Sequence, residues 1–343
     1  MPPAATHCGL GHSALQPLVY IHVMKSGGLS VDAMLKCRCS SSASPCALLR
    51  EDGRLTGAGV NGTGDMVAAF KRSVLYGSAS CAGGAACTAA ASPVGQKSAE
   101  TLVEARNSVP PCKAQVLTTH APLLSVVARP LWSRATTITV LREPVARVWS
   151  FYTYMRRKWP RGQQTALADI LRDRQLMATA WSAPARSSAD TSASFLHRPK
   201  AWSANAQNAT DPGFIYRQLS NSMTQQFSRT DASHDAPVAA PTAESLAAAM
   251  RSLDAVTVVG VTEDMAGFEA ALAKHWPRSF GAGGCTIPSG SSSKNPTSST
   301  KVLGSAPATL DELTRRAIAD ANALDAKLYA RARERSAKLS GRG

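Results

Sequence analysis

A chain of 343 residues with 44% apolar content is ordinary for a globular protein, and it is long enough for one large α/β domain with insertions or for two smaller domains. Lys and Arg outnumber Asp and Glu by 38 to 23, a surplus that favours polyanionic partners (phosphorylated cofactors, acidic glycans, nucleic acid, anionic membrane) and selects none of them. No run of about 18 apolar residues is present, so no membrane span is encoded.

The N-terminal segment 1–16 lacks the basic start and apolar core of a signal peptide. The expectation is a chain that is soluble where it is made, or one whose anchor lies upstream. The first strand-like run is Pro17-Leu18-Val19-Tyr20-Ile21-His22-Val23, nearly continuous and β-branched, as in a strand buried on both faces. Met24-Lys25-Ser26-Gly27-Gly28 follows, and a helix carrying Leu29, Val31, Ala33, Met34 and Leu35 begins near Gly28. A strand, a glycine turn and a helix start make an anion site, because unpaired N–H groups and the positive helix end converge there. Lys25 adds a mobile charge.

Stretches 40–65, 77–98, 182–212 and 281–308 are rich in Ser, Gly, Ala or Asn and offer little apolar surface, so they are expected to be surface loops. The chain has eight cysteines, and Cys37-Arg-Cys39 is one residue short of a metal-type pair. Scattered thiols, or a disulfide or two in the N-terminal half, are the simpler expectation. Asn61-Gly62-Thr63 and Asn208-Ala209-Thr210 are glycosylation triplets compatible with a secretory lumen.

Residues 114–120, "AQVLTTH", read as a second strand, with Pro122 close behind. Residues 135–142, "ATTITVLR", read as a third. They lead into a helix in which Pro144 suits the first position, Glu143 suits the positive end, and Pro160 stops the run after Arg156, Arg157 and Lys158. "AVTVVGV" (255–261) is a further buried-type strand, opening at Thr262-Glu263 into another helix. Thr309-Leu310-Asp311-Glu312 has the form of a capping box before a long helix, with Leu310, Leu313, Ile318, Leu324 and Leu328 spaced for one face. Strands alternating with helices predict a mostly parallel sheet covered on both sides, with ligands at the carboxyl ends of the strands.

No GxxxxGK[ST] occurs in the chain; here the lysine precedes the glycines. A nucleotide-dependent kinase on the same architecture is therefore the weaker reading. Arg142 closes a strand and Ser150 lies about two turns into the next helix, an arginine fork and a hydroxyl suited to a terminal phosphate.

Strand–KSGG–helix followed by strand–Leu141-Arg142-Glu143-Pro144-Val145-Ala146-Arg147-Val148-Trp149-Ser150-Phe151-Tyr152 resembles the Golgi-type carbohydrate sulfotransferases, of the heparan and chondroitin sulfotransferase kind. These use 3′-phosphoadenosine 5′-phosphosulfate and carry a "PKTGGTS"-like loop and an "LRdPveRxxSxY" segment. Thr119-His120-Ala121-Pro122 is similar to the family's "GHxp" context, Asn221-Ser222-Met223-Thr224-Gln225-Gln226-Phe227 to "NxxTrxL", residues 256–272 to its "GlTE" strand and helix, and residues 322–332 to its closing "N..D..LYe.a" helix. The match spans most of 17–332 in the right order.

The resemblance implies a P-loop-NTPase-like central parallel sheet flanked by helices, a single α/β domain over 17–332 with a basic tail at 333–343. It assigns Lys25 to the leaving phosphate and the transferring sulfuryl group. Ser26, Gly27, Gly28, Leu29 and Ser30 would serve the 5′-phosphate, and Arg142 and Ser150 the 3′-phosphate. Lys294, Asn295, Thr297 and Lys301 would be phosphate or adenine contacts from a late loop. His120 is the expected base, since an imidazole titrates near neutrality; His22 is expected to be structural or to support the site from behind. The scheme requires no metal. The implied acceptor is a carbohydrate hydroxyl, and an acidic glycan fits the charge; no nucleic acid is expected, and Golgi residence would need an anchor outside this chain. Met24 stands where the family has proline, Ser26 where threonine is commoner, and Leu29 where threonine is frequent. A non-catalytic basic glycan-binding protein on the same fold is the alternative.

Overall fold

The computed structural model describes residues 17–40, 47–50, 55–56, 114–120, 122–124, 134–158, 166–182, 212–229, 239–276 and 310–341. At its centre is β1 (Leu18–Ile21), four residues buried without exception. Parallel neighbours flank it, β4 (Ala114–Thr119) on one side and β5 (Thr136–Leu141) on the other. β2 (Ala47–Arg50) lies parallel outside β4, and β6 (Val258–Val261) parallel outside β5. The short β3 (Leu55–Thr56) closes the β2 edge antiparallel, giving the order β3-β2-β4-β1-β5-β6.

Strands this apolar need cover on both faces, and alternation along β1 divides them. Val19 and Ile21 join Leu117, Leu141 and Val259 on one face, packed on Phe227, Leu253 and Leu328. Those last three come from α6 (Ser222–Ser228), α7 (Ala243–Ala255) and α10 (Ala323–Leu339). Leu18 and Tyr20 face the other way, onto Val31, Met34 and Leu35 of α1 (Gly28–Ser40) and Phe268 and Leu272 of α8 (Met265–His275). A third cluster joins Val148, Phe151 and Met155 of α2 (Pro144–Lys158) to α3 (Leu167–Arg172), α5 (Pro212–Leu219) and α9 (Glu312–Ala321). α4 (Arg174–Ser182) packs beside α5 and is tied to it by Arg217, which donates to the Ala180 carbonyl at 2.6 Å.

Several sequence expectations change. The Ser/Gly-rich stretch 40–65 contributes β2 and β3 to the sheet. The strand expected over 255–261 begins only at Val258, because α7 extends to Ala255. The expected long C-terminal helix breaks at Asn322 into α9 and α10, and its cap is Asp311, whose carboxylate accepts from Thr314 N–H at 2.8 Å. Leu313 is 55% exposed and not part of the apolar face. α10 runs through residue 332, with Ser336 buried; Arg335 donates to the carbonyls of Leu253 and Val256 at the end of α7. Among the described residues no helix is long and apolar enough to cross a membrane.

Candidate functional site

The connections reverse direction around β1: the chain leaves it toward β2, returns to β4, and only then crosses to β5. Crevices open at such switch points, at the carboxyl ends of the strands. Ile21 is level with Thr119 of β4 and with Thr139 of β5. The residues that leave this edge are His22 through Gly28 from β1, His120 from β4, and Arg142 from β5.

The β1 turn is wound tightly. Lys25 has φ +64° and Gly27 φ +76°. Glycine accepts that conformation freely, whereas a lysine there costs about 1–2 kcal/mol. Ser26 N–H donates to Val23 O at 3.2 Å, and Ser30 N–H to Gly27 O at 2.9 Å. Those two serines therefore have hydroxyls to offer an anion, while Gly27, Gly28 and Leu29 bring the N–H groups of the helix entrance. The Ser26 side chain is fully buried and its Oγ has no hydrogen-bond partner among the described residues. A Cβ on Gly28 would lie 1.6 Å from His22 Nε2, so only glycine lets the imidazole rest against the start of α1.

Lys25 and Arg142 come together across the β1–β5 boundary. Arg142 Nη1 donates to Lys25 O at 3.4 Å, and the Lys25 ammonium lies 4.5 Å from the centre of the Tyr154 ring. The aromatic face attracts the cation and steers the side chain toward α2. Burial weakens the proton affinity of Arg142, opposed by the nearby carboxylates of Glu263 and Glu143, and its Nε is buried without a partner among the described residues. Glu143 also caps α2, accepting from Val145 N–H at 3.0 Å and Ala146 N–H at 2.7 Å. The helix-start role read from the sequence is what its geometry provides. Ser150 lies half-buried on α2, about 9 Å along the axis from the helix start.

On the β4 side, His120 stacks on His22 with ring centres 4.3 Å apart, and His22 stacks on Tyr20 at 5.5 Å. His120 Nδ1 lies 2.7 Å from His22 O. Burial raises the Tyr20 phenol well above its ordinary range, with Asp32 adding to the effect, so the ring at the base of the stack is neutral.

Lys25, Ser26, Gly27, Gly28, Arg142 and His120 are thus gathered at the ends of three adjacent strands. Lys294, Asn295, Thr297 and Lys301 lie outside the described residues. Comparison of the chain with protein-family models, curated proteins and solved structures gives no match.

Two residues escaped the sequence reading. Tyr154 sits beside Lys25 although nothing but its place two residues beyond Tyr152 marks it. Gln226 donates to the carbonyls of both His22 and His120, at 3.3 and 3.1 Å. Its only sequence signal is its position within residues 221–227.

Behind the site lies a second polar assembly. Asp325, fully buried on α10, accepts from the N–H groups of Met223 and Thr224 at 3.1 and 2.7 Å and faces the buried Arg147 guanidinium at 3.6 Å. Asn221, in the left-handed region at φ +46°, accepts from the N–H groups of Leu324 and Asp325. Asn322 Oδ1 accepts from Asn221 N–H, and its amide donates to the Leu219 and Ile318 carbonyls. Segments 221–227 and 322–332, singled out separately in the sequence, cap one another in space.

Proposed function

We propose that this protein is a sulfotransferase that moves a sulfuryl group from 3′-phosphoadenosine 5′-phosphosulfate to a hydroxyl, on a carbohydrate acceptor, using a sheet of P-loop-NTPase-like arrangement. The observation that carries the reading is the convergence of Lys25, His120 and Arg142 at the carboxyl ends of β1, β4 and β5, the order in which the resemblance requires them. Ser26 Oγ and Arg142 Nε, buried without a hydrogen-bond partner among the described residues, fit an anionic ligand, because a buried polar atom ordinarily has a partner.

The bound donor supplies an activated S–O bond whose leaving group is a phosphate. The Lys25 ammonium serves the bridging oxygen, where negative charge grows as that bond breaks and its electron pair passes to the phosphate. The first-turn N–H groups at Gly27 and Gly28 and the Ser26 and Ser30 hydroxyls hold the 5′-phosphate side. Arg142 and Ser150 hold the 3′-phosphate, and Tyr154 keeps the lysine near its post. His120 accepts the acceptor hydroxyl's proton as the new oxygen–sulfur bond forms, leaving a sulfate ester, the bisphosphate and an imidazolium. Positioning and cationic stabilisation account for the acceleration, as in phosphoryl transfer. Residence in the Golgi lumen and an acidic glycan acceptor belong to the same proposal, the latter supported by the net charge of +15.

Calorimetric titration with 3′-phosphoadenosine 5′-phosphate, without magnesium, tests the reading. Micromolar binding is expected for wild type. Arg142→Ala should weaken it about ten- to hundredfold, the worth of a charge-assisted hydrogen bond. No binding by a folded wild type would overturn the proposal and leave the non-catalytic glycan-binding alternative.

A further inference from the structure

The carbonyl groups of His22 and His120 lie side by side where β1 and β4 end, and Gln226 Nε2 spans them at 3.3 and 3.1 Å. Both partners are carbonyl acceptors, so only the NH2 end of the amide satisfies them. His22 O accepts a second hydrogen bond, from His120 Nδ1 at 2.7 Å. A carbonyl cannot donate, so Nδ1 carries the hydrogen; in a neutral imidazole the lone pair then resides on Nε2. His22 N–H completes the stitch by donating to Thr119 O at 2.7 Å. The residue spanning the gap is itself firmly held: α6 is fixed through Met223 and Thr224 to Asp325 and through Asn221 to α10.

We propose that Gln226 is a positioning residue that holds the ends of β1 and β4 together and thereby fixes His120 in the Nδ1–H tautomer, with Nε2 as the proton acceptor. The catalytic value of this arrangement rests on the proposed role of His120 as base; the arrangement itself does not. Without the Gln226 bridge, the strand ends stay joined by the His22 N–H to Thr119 O bond, but the His120 carbonyl is no longer held beside that of His22. The distance from His120 Nδ1 to the His22 carbonyl that selects the tautomer is then no longer fixed. The His22 ring, stacked beneath, limits tilt but does not discriminate between the two ring nitrogens.

Long-range proton–nitrogen correlation spectra of the full chain, labelled with 15N-histidine and held above the ordinary imidazole range, read the tautomer without donor or acceptor present; His120→Asn assigns the signals. Wild type should show His120 as Nδ1–H. Gln226→Met, similar in size but with no donor, should populate the Nε2–H form measurably, while 3′-phosphoadenosine 5′-phosphate binding stays within about twofold of wild type, since the Gln226 amide donates to His22 and His120 and not to the donor-binding residues among those described. A wild-type His120 in the Nε2–H form, or an unchanged tautomer in a folded Gln226→Met, would sink the inference. If that variant does not fold, Gln226→Asn, which keeps an amide too short to span both carbonyls, decides in the same way. A tautomer shift in a chain that binds no nucleotide would leave the Gln226 inference standing and remove the transferase reading alone.

Discussion

Two polar regions of this protein lie close together and are built on different terms. Behind the sheet, Asn221 accepts from Asp325 N–H, Asn322 from Asn221 N–H and Asp325 from the N–H groups of Met223 and Thr224, and Arg147 is enclosed against Asp325 with no exposure at all. At the strand ends, Lys25 adopts a left-handed backbone, and Ser26 Oγ and Arg142 Nε are buried without partners among the described residues. The interlocked backbone caps hold the first region, although Arg147 Nε, Nη1 and Nη2 and Thr224 Oγ1 there are also buried without a hydrogen-bond partner among the described residues. The second region is set apart by its left-handed lysine, in a conformation that asparagine tolerates better and that persists in lysine only where the surroundings impose it. That difference in backbone strain separates fold from site.

The largest test strikes the locked region. Asp325→Ala removes the carboxylate that accepts from two backbone N–H groups and leaves the buried Arg147 charge uncompensated, which should cost about 3–5 kcal/mol in urea denaturation. Asp325→Asn should cost less, because one acceptor oxygen survives. Burial holds the Asp325 carboxyl above its ordinary value and Arg147 below its own, so the pair's importance lies in what its breakage leaves behind. A loss under 1 kcal/mol on Asp325→Ala would erase the contrast between the regions, since surface changes cost about that little.

Lys25→Gly applies the same measurement to the site. Relief of the left-handed lysine, about 1–2 kcal/mol, offsets the lost contact with Tyr154, about 0.5–1 kcal/mol, and the greater unfolded-state freedom of glycine. Stability should stay within about 1 kcal/mol of wild type, while the proposed sulfuryl transfer falls below detection. Severe destabilisation instead would make Lys25 part of the fold.

The smallest effect belongs to an exposed cap. Hydrogen bonding to the Thr314 backbone N–H lowers the Asp311 carboxyl below its ordinary value of 3.8. Such a group contributes stability above its unfolded value and loses it as the pH falls through the folded one. Asp311→Ala should therefore lower the melting temperature slightly at neutral pH, with the gap from wild type closing as the pH drops below 3.8. A gap that persists in acid would mean that the carboxylate is not the stabilising group.

Local chemistry made much of the fold legible. The continuous apolar runs at 18–21 and 136–141 had nowhere to go but a doubly covered sheet, and Pro144 after Glu143 marked a helix start correctly. The misses share a cause. Four residues of β2 inside a Ser/Gly-rich stretch become a strand only because the edge of β4 is there to pair with them. The break at Asn322 comes from its side chain serving Asn221 and Leu219, more than a hundred residues away. No local pattern encodes such a partner.

The sequence alone determined the alternation of strands and helices and the glycine turn holding Lys25, because hydrophobic period and φ preference are properties of a few neighbouring residues. Tertiary structure decided which strands lie adjacent, and so brought His22 against His120 and Lys25 against Arg142. It also set Gln226 across the two strand ends. Those contacts join residues about a hundred or more positions apart, and their geometry exists only once sheet order and register are set.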